Sequence, residues 1–198
     1  EIYTLSLHDA LPIFDSQAAR CVKMVCVSAQ IADWAQVALS AQRFPQQIVP
    51  AFALHPWYVQ SANSSWQCEF EAYLQRFPQA LIGECGLDGF KPDLDIQKQI
   101  FSIHLALAHK YQRPLIIHAV KSAPLLEEFW DQLPQKFVIH GFYGKKEFLQ
   151  KIIRHGGYIG IGHRFILSSP AKELLPLVPK DKILYETDFP FQGIGPWQ

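Results

Sequence analysis

Along the chain, short runs that are apolar throughout alternate with longer stretches whose apolar positions recur at helical spacing. Seven such runs stand out, at 22–27, 48–54, 80–84, 114–118, 137–140, 158–161 and 183–186. Between the third and fourth, Ile96, Ile100, Ile103 and Leu107 fall at i, i+4, i+7 and i+11, which predicts an amphipathic helix. Ser64 with Gln67 offers a capping box ahead of "WQCEFEAYLQRF". A helix beginning near Lys145 is predicted to stop at Gly156-Gly157, and Ser169-Pro170 suits another helix start. Strands without polar alternation, each followed by a helix, argue for a parallel sheet covered on its outer face.

Two architectures place such a sheet: an open doubly wound sheet or a closed barrel. No G-x-G-x-x-G or G-x-x-x-x-G-K-[ST] follows any run, which weakens the nucleotide-binding alternative. Polar residues instead close several of the runs, and barrel enzymes build their sites at the C-terminal ends of strands. The expectation is an α/β fold, a TIM-type (β/α)8 barrel that is incomplete. One strand is missing from the seven-run count, so either residues 2–7 serve as a replacement first strand or it is absent. The chain closes on "GIGPWQ" with no predicted last helix.

The polar residues in question are Glu84 in "LIGECGLDG", His118 in "PLIIHA", His140 in "FVIHGF", and Glu186 and Asp188 in "ILYETD". Imidazole with carboxylate is a ligand set suited to zinc or manganese, whereas magnesium prefers oxygen alone. Four strands would bring Glu84, His118, His140 and Asp188 to one barrel mouth. There they can hold two divalent ions for hydrolytic chemistry. Singly, each has a plainer reading, a hydrogen-bonded structural His or a Glu that caps a helix. Their equivalent positions in successive βα units favour the joint reading.

Composition narrows the partners. The 198 residues carry 18 basic and 18 acidic side chains, a formal net charge of zero, so no broad nucleic-acid-binding surface follows from charge alone. A local site where metal and a few basic residues meet phosphate stays open. The length suits one domain with a substantial core. No apolar run approaches the roughly 20 residues of a membrane span. No signal-peptide pattern opens the chain. Cys21, Cys26, Cys68 and Cys85 form no zinc-type pairs and read as free thiols in a reducing cytoplasm. No obligate protein partner is implied.

"GECGLD", "DIQKQIFSIHLALAHKYQRP", "IIHA", "VIHGFYG", "GYIGIG" and "YETDFP", in that order and spacing, resemble the TatD-related metal-dependent hydrolases and deoxyribonucleases. "ALHPWY" resembles that family's His-Pro segment, and the likeness runs from about residue 22 to 193. The resemblance implies a barrel of the amidohydrolase type, two divalent ions (Zn, Mn or Mg) and hydrolysis of DNA or another phosphodiester. It makes Glu84 the metal-bridging carboxylate and His118 and His140 ligands of one ion. Asp188 becomes a ligand that also acts as general base, with Glu84 beside it in the catalytic set. His55 would face the substrate phosphate, although a His before Pro also serves simply in a turn. Lys121 would bind substrate, and Glu186 would orient a ligand.

The chain departs from the family pattern in several places. No His-x-His closes a first strand; the single early histidine is His8. The opening "EIYTLSLHDALPI" lacks an initiator Met and resembles translated sequencing-adapter read-through. Residues 1–14 are therefore expected to be a non-native leader, and 15–198 a single partial barrel domain. Val120 stands where an Arg is usual, leaving Lys121 as the nearby base without Arg's bidentate fork. Tyr143 and Phe189 replace small residues, implying a more aromatic mouth. Three alternatives remain: a non-catalytic barrel that binds, a metal-dependent amidohydrolase acting on small esters or amides, and a metal-free glycosidase using Glu84 and Glu186.

Overall fold

The structure, a computed structural model, describes residues 2–5 and 23–186. Eight strands form one parallel sheet in chain order: β1 (Ile2–Leu5), β2 (Lys23–Val27), β3 (Ile48–Phe52), β4 (Leu81–Asp88), β5 (Leu115–Val120), β6 (Phe137–His140), β7 (Tyr158–Ile161) and β8 (Ile183–Tyr185). The sheet curls until Cα atoms of β8 lie within 8 Å of those of β1. Among the described residues no hydrogen-bonded ladder joins these two edges. All seven apolar runs are strands. Ile2–Leu5 pairs with β2 in parallel and takes the place of the replacement first strand. His8, Asp188, Phe189, Cys21 and the closing "GIGPWQ" lie outside the described residues.

The helices are α1 (Trp34–Arg43), α2 (Trp66–Arg76), α3 (Leu94–Tyr111), α4 (Lys146–Arg154), α5 (His163–Ile166) and α6 (Ser169–Leu174). The spaced apolar residues of α3 hold as expected, with Ile100, Phe101, Leu105 and Ala108 buried. One capping expectation needs correction. The N-cap of α2 is Ser65, not Ser64, and its hydroxyl lies between Asn63 Oδ1 at 2.9 Å and Glu69 Oε1 at 2.5 Å. Asn63 turns the chain one residue later than the Ser64–Gln67 spacing suggests.

Two sets of apolar side chains separate along the strands. Met24, Cys26, Ile48, Phe52, Ile82, Leu115, Ile117, Phe137 and Ile139 pack with residues of the helices. Val25, Ala51 and Ile116, joined by Val27, Val49, Leu81 and Val138, form a smaller cluster made of strand residues alone. The second set lines the interior of the curl, as the two-residue period of a strand requires. His118 follows Ile116 by two residues and His140 follows Val138 by two. Both imidazoles thus continue the inward face one step toward the C-terminal rim.

Glu84 reaches the same face by a different route. Ile82 pairs with Leu115 and Cys85 with Ile117, so three residues of β4 oppose two of β5. This irregularity reverses the inward-outward phase. Beyond it Gly86 pairs with His118, and Glu84, Gly86 and Asp88 face inward while Cys85 and Leu87 join the helix-facing core. Gly86 has φ +137°, and a Cβ there would stand 2.2 Å from the His118 carbonyl oxygen. Only glycine allows β4 and β5 to approach so closely.

Candidate metal centre

His55 sits three residues beyond β3, at the cap of a 3-10 turn (Pro56–Ser61). The backbone leading to it is fixed from several sides. Ser28 Oγ accepts from Ala53 N at 3.0 Å, and Trp34 Nε1–H donates to Ala53 O at 2.9 Å. His104, fully buried in α3, donates from Nδ1 to Ile100 O (2.8 Å) and accepts the Leu54 amide at Nε2 (3.2 Å). Burial holds the His104 imidazole down to a pKa of about 4, so it is neutral.

Glu84 is the hub. Its Oε1 lies 2.9 Å from His118 Nδ1 and 3.7 Å from His55 Nε2. Its Oε2 faces His140 Nε2 at 3.8 Å. His55 Nε2 and His118 Nδ1 are 3.1 Å apart, and donor atoms of His55, Glu84 and His118 all lie within 4.8 Å of one another. The structure therefore brings together Glu84, His118, His140 and His55. It places Lys121 on the exposed rim, with Nζ 5.9 Å from the centre of the Phe90 ring.

Each imidazole is also held on the nitrogen that faces away from Glu84. His118 Nε2 lies 3.1 Å from Asp88 Oδ2, and His140 Nδ1 lies 2.9 Å from Glu186 Oε2. Asp88 is anchored in turn: Oδ2 accepts Trp57 Nε1–H at 2.6 Å and Oδ1 accepts the Phe90 amide at 2.9 Å. Gln97 of α3 holds the Asp88 backbone. Glu186 Oε1 accepts the Gly141 amide at 2.7 Å. A carboxylate behind a ligating His fixes its orientation and raises its basicity. In the sequence Asp88 stands in "GECGLD" and Trp57 in "ALHPWY", and neither falls at the end of an apolar run. The signal was there in part, since Asp88 follows Glu84 by an even number of residues.

The charges agree with this geometry. Burial opposes ionisation of Glu84, yet the neighbouring charge of His140 and the hydrogen bonds of His118 and His55 outweigh it and hold the carboxyl well below its ordinary range. Burial likewise opposes Asp88, but its bonds to His118, Trp57 and the Phe90 amide bring it to about 2. For His118, burial alone would lower the pKa; the hydrogen bonds and charges of Asp88 and Glu84 raise it to about 9. Burial lowers His55, with only partial compensation from Glu84. Burial raises the Cys26 thiol to about 12, and burial followed by the Glu84 charge raises Cys85 well above its ordinary range. Both thiols belong to the helix-facing core, so the polar atoms gathered at this centre are nitrogen and oxygen.

A parallel α/β barrel with imidazoles and carboxylates gathered at its C-terminal strand ends belongs to the metal-dependent hydrolase class of barrels. Within that class, residues 8–197 match the family described as TatD related DNase, and the chain belongs to it. The chain is 37% identical over 145 residues to the 3'-5' ssDNA/RNA exonuclease TatD of Citrobacter koseri, an alignment covering 65% of this chain and 54% of that protein. It is 32% identical over 123 residues to the Deoxyribonuclease Tat-D of Schizosaccharomyces pombe, covering 58% and 39%. The chain thus spans about half the length, or less, of these curated relatives. The crystal structure of YjjV, a TatD homolog from Escherichia coli, superposes with a TM-score of 0.85 at 24% identity, over all of this chain and 82% of that one. A hydrolase of the TatD family from Entamoeba histolytica gives a TM-score of 0.74 at 21% identity, over 84% and 60%.

Proposed function

We propose that the chain carries the centre of a divalent-metal-dependent phosphodiesterase acting on nucleic acid, as the names of its relatives describe for those proteins. The observation that carries this reading is the Glu84 carboxylate, with Oε1 toward His118 and His55 and Oε2 toward His140. A carboxylate that bridges two ions needs donors on both oxygens. The donor set also fits zinc or manganese in kind. Glu84, His118 and His140 would hold the ions, with Asp188 as a further ligand and general base. Ions bound there supply a nucleophile at neutral pH and neutralise charge on the phosphoryl oxygens.

Hydrogen bonding sorts the imidazoles by role. As it stands His118 donates from both ring nitrogens, Nε2–H to Asp88 and Nδ1–H to Glu84. With an ion in place of the Nδ1 proton, the Asp88 bond would keep the remaining proton on Nε2, as the Glu186 bond keeps one on His140 Nδ1 and leaves Nε2 for an ion. His55 differs. Its Nδ1 accepts the Trp57 amide at 3.2 Å, so its proton is on Nε2, the atom that faces the centre. Proximity alone would class His55 as a ligand, but its tautomer presents an N–H. His55 is therefore the donor that contacts a phosphoryl oxygen. Lys121 contributes charge from the rim.

The paired-carboxylate glycosidase is disfavoured by one feature: the His140 ring stands between Glu84 and Glu186, on opposite nitrogens. Among the described residues no helix is long and apolar enough to cross a membrane. The free, protonated thiols of Cys26 and Cys85 suit a reducing cytoplasm.

The test is hydrolysis of a labelled oligonucleotide with and without Mn(II) or Zn(II). Ion-dependent cleavage, suppressed by EDTA and lost in Glu84→Gln, is the expected result. Cleavage indifferent to EDTA would overturn the proposal. So would a melting temperature that does not move with saturating metal, because an ion held at about 100 times its Kd stabilises the fold by about 2.7 kcal/mol.

A further inference from the structure

Six side chains on the rim stand outside the centre and share one arrangement. They come from consecutive segments after the C-terminal ends of β3 to β7: Trp57 after β3, Phe90 and Lys91 after β4, Lys121 after β5, Tyr143 after β6 and Arg164 in α5. The three rings are exposed, Trp57 to 47%, Phe90 to 72% and Tyr143 to 61%. Each lies under one of the cations. Lys91 Nζ is 4.6 Å from the Trp57 ring centre, Lys121 Nζ 5.9 Å from Phe90, and the Arg164 guanidinium carbon 5.6 Å from Tyr143.

These cations differ from several on the helices. Lys98 pairs with Glu128, Lys110 with Glu71, and Lys151 with Glu127. Among the described residues, Lys91, Lys121 and Arg164 have no carboxylate within 4 Å. The chain as a whole is electrically balanced, so three unpaired cations beside three exposed rings make a local, polarised surface. Rings in water carry a hydrophobic cost that a flat apolar partner relieves. Cations that have no carboxylate partner among the described residues suit anions beside those rings. A nucleic-acid strand with unpaired bases supplies both, alternating flat rings with phosphates. A duplex hides its ring faces in its own stack and supplies only the phosphates.

We propose that Trp57, Phe90 and Tyr143 form a stacking platform that leads unpaired bases to the metal centre, with Lys91, Lys121 and Arg164 holding the phosphates between them. This rests on the phosphodiester reading above. Trp57 is the fixed end of the platform: its Nε1–H is committed to Asp88, and its ring stands 5.2 and 6.1 Å from those of His55 and His118. Phe90 and Tyr143, more exposed, form the outer positions.

The experiment compares binding of a fluorescent ten-nucleotide single strand with an abasic strand of equal phosphate number, in EDTA so that nothing is cleaved. The 198-residue chain, Phe90→Ala, Tyr143→Ala, Phe90→Trp and Lys121→Ala are each titrated. One base stacked on a protein ring strengthens binding by roughly 5- to 150-fold. The unsubstituted chain should therefore prefer the base-bearing strand by about tenfold or more. Each alanine change at a ring should cut that ratio by about fivefold or more, while Phe90→Trp keeps it. Lys121→Ala should weaken both strands alike. Equal affinity of the unsubstituted chain for the two strands overturns the platform, as does a ratio that survives both Phe90→Ala and Tyr143→Ala. Hydrolysis of bis(4-nitrophenyl) phosphate with Mn(II) is measured on the same preparation. Hydrolysis with no base preference defeats the platform alone. Base preference without hydrolysis of that ester or of an oligonucleotide defeats the phosphodiesterase reading and leaves the platform as a nucleic-acid-binding surface.

Discussion

His104 makes the positioning of the centre sensitive to acid. Its imidazole is completely buried, flanked by the rings of Trp66 and Phe70 at 5.6 and 5.3 Å, and both nitrogens are committed: Nδ1–H to Ile100 O and the Nε2 lone pair to the Leu54 amide. Protonation would set one N–H against another at Leu54, immediately before His55. Burial keeps the folded pKa near 4, against 6.5 ordinarily. Between these values the unfolded chain binds a proton that the native chain refuses, so stability rises with pH across the window. The contribution is intact above about pH 6.5 and is lost as pH falls toward 4. At about 1.4 kcal/mol for each pH unit separating the two values, the full loss is about 3 kcal/mol, of which about 2 kcal/mol falls between pH 7 and pH 5.

The perturbation is His104→Gln, whose side-chain oxygen can accept the Leu54 amide and does not titrate. Urea unfolding of both proteins at pH 7 and pH 5 gives their difference in stability at each pH, and titrations common to both cancel. The margin by which the unsubstituted chain exceeds His104→Gln should shrink by about 2 kcal/mol on acidification. A margin constant to within about 0.5 kcal/mol would show that His104 titrates normally, and that its neutral double hydrogen bond does not hold Leu54.

Three further outcomes follow from the site. Asp88→Asn should weaken metal binding by about 10- to 100-fold, measured by isothermal titration with Zn(II), because an amide cannot accept from Trp57, the Phe90 amide and His118 together. Trp57→Phe keeps a ring but removes the indole N–H; its Asp88 loses one anchor, and a smaller fall in Zn(II) affinity, about tenfold at most, is expected by the same titration. Gly160→Ala would place a methyl group 2.0 Å from Glu186 Oε2. Glu186 must then leave His140 and the Gly141 amide, and thermal unfolding should report a loss of about 1–3 kcal/mol for the buried carboxylate left unpaired.

Much of the fold was legible because a parallel strand buried on both faces can only be written as an apolar run, and all seven runs are strands. The polar residues at the ends of those runs were legible for the same reason, since Glu84, His118 and His140 interrupt an apolar pattern. Asp88 was not, because it stands four residues past the end of the apolar run, and the offset in β4 between Ile82 and Cys85, which nothing in "LIGECGLDG" announces, conceals that the strand continues with Glu84 and Asp88 on its inward face. The third apolar run closes at Glu84, four residues before the strand stops. His104 was hidden differently: it falls among the buried positions of α3, where a His reads as one more core residue until its two partners are seen. Asp188 lies beyond the described residues, and its part rests on the resemblance of "YETDFP".

The roles at this centre are decided by residues that do not face it. Three imidazoles point a nitrogen toward Glu84, and distance alone does not separate them. What separates them is the atom on the far side. Where that atom is a carboxylate oxygen, as at His118 and His140, it holds a proton on the outer nitrogen, and on the reading proposed above the inner nitrogen would serve an ion. Where it is the Trp57 backbone N–H, as at His55, the lone pair is drawn outward, and on the same reading the inner N–H would meet a phosphate. Without an ion, Asp88 and Glu84 hold His118 protonated to about 9, so a positive charge already sits between two carboxylates. On the reading proposed above, an ion would take the place of that proton, and its affinity should fall as pH drops below that value. The outer carboxylates depend in turn on Trp57, Gln97 and the amides of Phe90 and Gly141. For this reason the residues around Asp88 and Glu186 bear on the chemistry as directly as the donors do.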